Sequence, residues 1–324
     1  MRLHRHRSGS LFSGLACPWV LLLWVSPLPV LAEDERGGTK FFFEKPMLLG
    51  AHRGGLRLWP EETLLAYKSC SSLWPDVVLE GDAHLTADGV VVLNHDATVD
   101  RTTNGHGRVD RITWSEIEAL DAGYRFTRDG GKTFPFRGKG LKIAKLGEVL
   151  ASIPSHRFQI EIKGNSKLAE AVVKVVLEAR AEDRVMLAAV DPAAMMKVRT
   201  LAPRIPTCYD IVGANVMIRT LREGDWKAYV PTDDVLAFSS SLMKTMRITP
   251  MEFKAIREKG IRIQFFTVNK RDEMSSLLAL GADGILTDAP DVLAEVIASR
   301  EGENSPAAED RQSPRPSSID PPGS

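Results

Sequence analysis

Three cysteines in 324 residues are too few for a disulfide framework. Cys17 falls in an N-terminal leader, which leaves Cys70 and Cys208 either as one bridge or as two buried thiols, and the sequence does not choose between them. Cys17 also has Gly14 rather than an aliphatic residue three positions upstream, so the pattern that directs lipid attachment is missing. No sign of charge is in excess. The 42 Lys and Arg balance 42 Asp and Glu, and without a net positive field a nucleic-acid partner is not expected. No Gly-rich nucleotide or dinucleotide loop follows the first predicted strand, which argues against an open-sheet cofactor site. What is present is ordinary for a globular chain: 44% hydrophobic and 26% charged residues rule out a wholly disordered or collagen-like protein.

The N-terminus reads as a secretory signal peptide over residues 1–32. Arg2, Arg5 and Arg7 precede an apolar run from Leu15 to Val25, followed by Pro27, Pro29 and a small residue, Ala32, suited to cleavage. The apolar run falls short of the roughly 20 residues that a spanning helix needs. Cleavage is therefore expected, giving an exported, periplasmic or secreted chain that starts near Glu33 and has no stable membrane span. It removes three arginines and no acid, so the mature chain is slightly acidic, and this overall balance predicts no electrostatic adhesion to anionic lipid. Residues 33–46 form a short lead-in. The tail at 301–324 is rich in Ser, Pro, Asp and Glu and cannot bury enough apolar surface to order itself.

Between these ends, short apolar runs alternate with helical patterns. Strands are predicted at Met47–His52, Val77–His84, Val91–Asn94, Phe158–Lys163, Val185–Val190, Thr207–Ile211, Val235–Ser239, Arg262–Val268 and Gly284–Thr287. Helices are predicted at Glu61–Leu73, Ser115–Leu120, Lys145–Ser152, Lys167–Ala181, Ala193–Leu201, Pro250–Lys259, Arg271–Ala279 and Asp291–Ala298. Repeated strand–helix alternation means parallel strands with crossover helices. Acidic residues at the ends of several different strands favour a closed barrel over an open sheet. The fold class is thus α/β, a (β/α)8 TIM-type barrel over residues 47–300. A loop-rich insertion after the second strand region, about 97–145, is too long for a plain connection and is expected to lie over a site or form a small subdomain.

Four strand ends carry chemistry. The first strand runs into His52-Arg53-Gly54-Gly55, a proton-transfer group and an anion-binding fork on a flexible turn. Glu80 and Asp82 lie two apart on one strand and so project to the same face, where two crowded carboxylates call for a hard cation with oxygen ligands, Mg²⁺ or Ca²⁺. His95, in Leu93-Asn94-His95-Asp96, is a second acid/base candidate. Glu161 and Lys163 share one face of a further strand and offer a third carboxylate and a second cation for phosphate. Read singly, each has a structural alternative in a salt bridge or a surface turn.

Taken in order and spacing, these segments resemble the glycerophosphodiester phosphodiesterase family. The resemblance runs from about residue 47 to 298. It rests on His52-Arg53-Gly54, Pro60-Glu61, Glu80-Gly81-Asp82, His95-Asp96, Arg101-Thr102-Thr103-Asn104-Gly105, Glu161-Ile162-Lys163 and Gly284 to Pro290. It implies metal-dependent hydrolysis of a small-molecule glycerophosphodiester to glycerol 3-phosphate and an alcohol. It further implies a divalent cation on Glu80, Asp82 and Glu161, an acid/base pair in His52 and His95, and phosphate binding by Arg53 and Lys163. Glu61 matches a family glutamate that either ligates the metal or supports the ligands around it. Three positions depart from the family pattern: Glu62 replaces the usual Asn, Ala144-Lys145 replace the usual Pro-Thr, and the usual Trp near the seventh strand becomes Phe265 or Phe266. Two other readings stand beside this one, a same-fold phospholipase D-like enzyme acting on lysophospholipids or sphingolipids, and an inactive barrel that binds a solute or an envelope partner.

Overall fold

The computed structural model of the protein describes residues 42–303. The predicted leader at 1–32, part of the lead-in and the tail beyond 303 lie outside the described residues. The strands are β1 (Met47–Ala51), β2 (Val78–Leu85), β3 (Val91–Leu93), β4 (Arg157–Ile162), β5 (Val185–Ala188), β6 (Val235–Phe238), β7 (Arg262–Phe265) and β8 (Gly284–Thr287). The longer helices are α1 (Leu64–Leu73), α2 (Trp114–Glu118), α3 (Leu146–Ser152), α4 (Ser166–Glu178), α5 (Pro192–Leu201) and α6 (Ile211–Glu223). After β6 come α7 (Ser240–Met246), α8 (Pro250–Glu258), α9 (Arg271–Leu280) and α10 (Pro290–Glu303). None of the described helices is long and apolar enough to cross a membrane.

Seven strands pair in parallel in the order β5-β4-β2-β1-β8-β7-β6. Two isolated bridges close the ring, Thr207 to Leu187 and Cys208 to Val235. The result is an α/β barrel with Thr207–Cys208 as its shortest stave. Alternate side chains enter it. At the bottom, Phe42 packs with Met47, Val78, Met186, Cys208 and Val235. Buried Arg157 seals that end by donating to the carbonyls of Phe42, Lys45, Pro46 and Asp76 at 2.7–3.0 Å. Higher up, the Gln264 amide donates to Gln159 at 2.8 Å across the interior. Outward-facing strand residues such as Leu79, Phe158, Ile160 and Ile263 pack against the helices.

Two predicted strands are corrected. Thr207–Ile211 is not a strand beyond its two bridged residues, because the Asp210 side chain accepts from the N–H groups of Val212 and Gly213 and starts α6 there. Val91–Asn94 does form a strand, β3, but antiparallel to β2 and off the ring, so it is a hairpin arm rather than a stave. Helices α6 and α7 were not predicted. Cys70 and Cys208 are separate, free and buried: Cys70 points at the Gly54 carbonyl and Cys208 at Met186.

Candidate active site

β1 ends in a tight 3-10 turn, His52–Gly54. Arg53 sits there at φ 51°, a left-handed conformation that costs energy for a residue with a side chain. Its backbone N–H is held by a 2.8 Å bond to the Glu80 carboxylate. Gly54 follows at φ 75°, and a Cβ there would come within 2.9 Å of the Ala66 methyl, so the turn can press onto α1 only with glycine. The turn aims the Arg53 guanidinium at Glu61, 3.1 Å away, and at Asp82, 3.2 Å away.

The carboxylates come together by strand register. β2 and β4 pair so that Asp82 stands beside Glu161. One oxygen from each of Glu80, Asp82 and Glu161 lies within 4.8 Å of the other two, close enough for one ion to touch all three. Lys163 reaches Asp82 at 3.1 Å and Glu161 at 2.9 Å. Both Asp82 oxygens are buried and, despite these ion-pair distances, neither accepts a well-directed hydrogen bond. Burial and the neighbouring Asp82 push the Glu80 carboxyl well above the usual carboxylate range. Burial would do the same to Asp82, but Lys163 and Arg53 outweigh it and hold Asp82 below its ordinary value. Burial likewise lowers Lys163, yet Asp82 and Glu161 outweigh it and raise the ammonium pKa.

Glu62, where the family has Asn, is buried beneath this cluster. Its carboxyl accepts from the Asp82 N–H at 2.9 Å and from the Tyr67 hydroxyl. Burial, with Asp82 and Glu80 nearby, pushes Glu62 well above the usual carboxylate range. The space is made by Gly81: a Cβ there would collide with the Tyr67 hydroxyl and lie 3.0 Å from a Glu62 oxygen.

Each histidine is backed by an aspartate. His52 Nδ1 lies 2.6 Å from Asp288, whose other oxygen accepts from Asn269 at 2.6 Å. Burial lowers the His52 pKa, but Glu80 and the Asp288 bond outweigh it and raise the ring above its ordinary value. His95 Nδ1 lies 2.7 Å from Asp96, and the His95 carbonyl is 3.3 Å from the His84 ring. Arg101 clamps the surroundings, bidentate to Glu61 at 2.7 and 2.8 Å and bonded to Asp96 at 2.7 Å. Glu61 is therefore occupied by two guanidinium groups and lies outside the three-carboxylate cluster.

The structure thus brings His52, Arg53, Glu80, Asp82, Glu161 and Lys163 to one end of the barrel, with His95 and Glu61 beside them. Of the two Phe candidates for the usual Trp, Phe265 is buried against Phe238 and Phe253, and Phe266 is exposed at the mouth. Sequence reasoning assigned no role to Asp288, Asn269, Asp96, Arg101 or His84. Asp288, Asp96 and Arg101 lie inside the segments that carry the family resemblance, and the place of the two aspartates next to a histidine or at a strand end is the available signal.

This charge constellation stands at the C-terminal ends of the strands of a parallel α/β barrel, the face on which barrel enzymes build their active sites. Residues 52–292 match the model of the glycerophosphoryl diester phosphodiesterase family, and the chain belongs to that family. A glycerophosphodiester phosphodiesterase of Caldanaerobacter subterraneus subsp. tengcongensis is 29% identical over 256 residues, covering 77% of this chain and 97% of that relative. Human glycerophosphodiester phosphodiesterase 1 is 29% identical over 269 residues, 74% of this chain and 77% of its own length. Among solved structures, an Oleispira antarctica phosphodiesterase in complex with the product sn-glycerol-3-phosphate superposes with a TM-score of 0.65 at 21% identity, covering 78% of this chain and 97% of that one.

Proposed function

We propose that the protein hydrolyses glycerophosphodiesters to glycerol 3-phosphate and an alcohol, with Mg²⁺ or Ca²⁺ held by Glu80, Asp82 and Glu161. The observation that carries this reading is the register of Asp82 with Glu161, which completes a three-carboxylate cluster beside Arg53 and Lys163. The donor set suits a hard cation, and the buried Asp82 oxygens, which Arg53 and Lys163 approach without a well-directed hydrogen bond, keep lone pairs for one. When bound, the cation supplies charge neutralisation at the phosphate.

Arg53 and Lys163 complement the negative charge that builds on the non-bridging oxygens. Their neighbours hold them in place, Glu61 and Asp82 for Arg53, and Asp82 and Glu161 for Lys163. The Nδ1 atoms of His52 and His95 are engaged by Asp288 and Asp96, so Nε2 of each ring is the atom that takes or gives a proton. One histidine takes the proton of a free glycerol hydroxyl as its oxygen attacks phosphorus. The other protonates the departing alcohol, and water then opens the cyclic phosphate.

Product analysis tests this directly. With glycerophosphocholine, phosphorus NMR should show glycerol 3-phosphate accumulating while proton NMR shows free choline. Phosphocholine and glycerol would contradict the cleavage site, and faster turnover of a lysophospholipid would move the assignment to that substrate class. Export belongs to the same proposal and rests on the pattern of residues 1–32. N-terminal sequencing of protein from outside the cytoplasm should begin near Glu33, and intact Met1 in a membrane fraction would overturn it.

A further inference from the structure

The charge of this chain is balanced only on average. Residues 121–145, within the insertion, hold seven Lys and Arg against two Asp, and both aspartates are taken up by local bonds. Asp121 accepts from the N–H groups of Gly123 and Gly138, and Asp129 from those of Lys132 and Thr133. Arg125, Arg128, Lys132, Arg137, Lys139 and Lys142 are all exposed. The polar contacts of four of them run to backbone carbonyls, those of Thr103, Leu58, Tyr124 and Leu120, and not to carboxylates. Aromatic rings stiffen the lobe: the Arg137 guanidinium lies 4.2 Å from the Tyr124 ring centre and 3.8 Å from that of Phe134. The Arg128 bond to Leu58, in the loop that follows His52–Gly54, fixes the lobe at the catalytic face.

The opposite arc of the same rim is apolar. Val190 follows β5, Ile211 and Val212 follow the Thr207–Cys208 stave, Leu242 follows β6 and Phe266 follows β7, and all five side chains are exposed. In a parallel barrel, residues just past the C-terminal ends of consecutive strands are neighbours around one mouth. The catalytic mouth is therefore flanked by an unpaired basic lobe on the β1–β2 side and an exposed apolar arc from β5 to β7. Scattered surface hydrophobics need no explanation, but five on consecutive staves at one rim do.

We propose that the catalytic face seats on an anionic lipid surface, with the basic lobe against the headgroups and the apolar arc at the boundary with the acyl chains. Clustered Lys and Arg respond to the local surface potential within a Debye length, so the near-zero charge of the whole chain does not oppose this. Exposed apolar side chains add the salt-resistant part of interfacial binding. A docked mouth would take substrate from the layer in which phosphodiesters are released from lipids.

The test is vesicle sedimentation of the full chain, with phosphatidylcholine alone and with phosphatidylglycerol added. Binding should be much stronger with the anionic lipid and should fall, though not to zero, as salt rises from about 0.05 M to about 0.5 M, where screening shortens to a few ångströms. Reversing two exposed charges, Lys132→Glu with Lys139→Glu, should weaken partitioning by about tenfold or more. Val212→Ser with Leu242→Ser should remove the binding that persists at high salt. Thermal unfolding checks that each variant is folded, and the salt titration of the unaltered protein decides the matter if one is not. Equal binding to neutral and anionic vesicles, insensitive to the lysine reversals, would overturn the proposal and leave the N-terminal apolar run as the attachment. Absence of vesicle binding would overturn it too, as would capture of a monomeric lysolipid in its place, which would make the arc an acyl-chain site. No turnover is read, so failure here leaves the hydrolytic proposal untouched.

Discussion

Asp82 and Glu161 stand at the same height on adjacent parallel strands, and the Lys163 ammonium bridges them, 3.1 Å from one carboxylate and 2.9 Å from the other. Lys163 neutralises part of the charge that these acids and Glu80 would otherwise set against each other in a buried space. Replacing Glu80, Asp82 or Glu161 by Ala should each weaken divalent-cation binding in calorimetry. Asp82→Ala should be the most damaging, because that residue also anchors Arg53 and Lys163. Unchanged affinity in all three variants would mean that the ligand set is wrong.

Proton transfer is assigned to separate residues and can be tested separately. His52→Ala or His95→Ala should lower kcat by about 10² to 10⁴ with little change in KM. A nitrophenyl phosphodiester, whose leaving group departs without a proton, should largely rescue the variant that lacks the general acid and should not rescue the other. Near-normal turnover of a natural substrate by both variants would falsify the acid/base assignment.

Asp288 touches His52 Nδ1 at 2.6 Å, and in the proposed mechanism it acts through that ring. Asp288→Asn should lower kcat by about tenfold to a hundredfold, the worth of a charge-assisted hydrogen bond. In a His52→Ala background the same change should cost almost nothing, because residues acting as a unit are not additive. A loss that persists in the double variant would show that Asp288 works by another route.

Barrel closure depends on a different charge network. Arg199 reaches Asp233 at 2.7 Å and Asp210 at 3.0 Å, and Asp233 in turn accepts from the Thr207 hydroxyl on the closing stave. Arg199→Ala would leave two buried carboxylates uncompensated and should destabilise the fold by about 3–5 kcal/mol in denaturant unfolding. Cation affinity of the folded fraction should be unchanged, which separates this network from the site.

Local pattern revealed the staves that bury both faces, and Gly284–Thr287 is a strand over the residues predicted. It misled where apolar residues are exposed. The pattern predicts a strand running from Thr207 to Ile211, but Asp210 caps a helix at that point and the Ile211 side chain faces solvent. β3 has the apolar residues of a stave, and only its pairing reveals a hairpin arm. The candidate site was legible where chemistry sits at a strand end in an alternating face, as with Glu80 and Asp82. It was illegible where partners meet across long separations, as His52 meets Asp288 and Arg101 meets Glu61, because no local periodicity records such contacts. The role of Glu62 was hidden for the same reason: its partners, Tyr67 and the Asp82 N–H, belong to a helix and a strand that only the fold brings together.

The central claim is that glycerophosphodiester hydrolysis here depends on a divalent cation held by three carboxylates. The most direct measurement is the rate of glycerol 3-phosphate formation from glycerophosphocholine before chelation, after exhaustive chelation, and after adding back Mg²⁺ or Ca²⁺. The account predicts that activity disappears with chelation and returns with one of these ions in unaltered protein, and that the Asp82→Ala variant recovers little at the same concentration. Full activity after exhaustive chelation would contradict it.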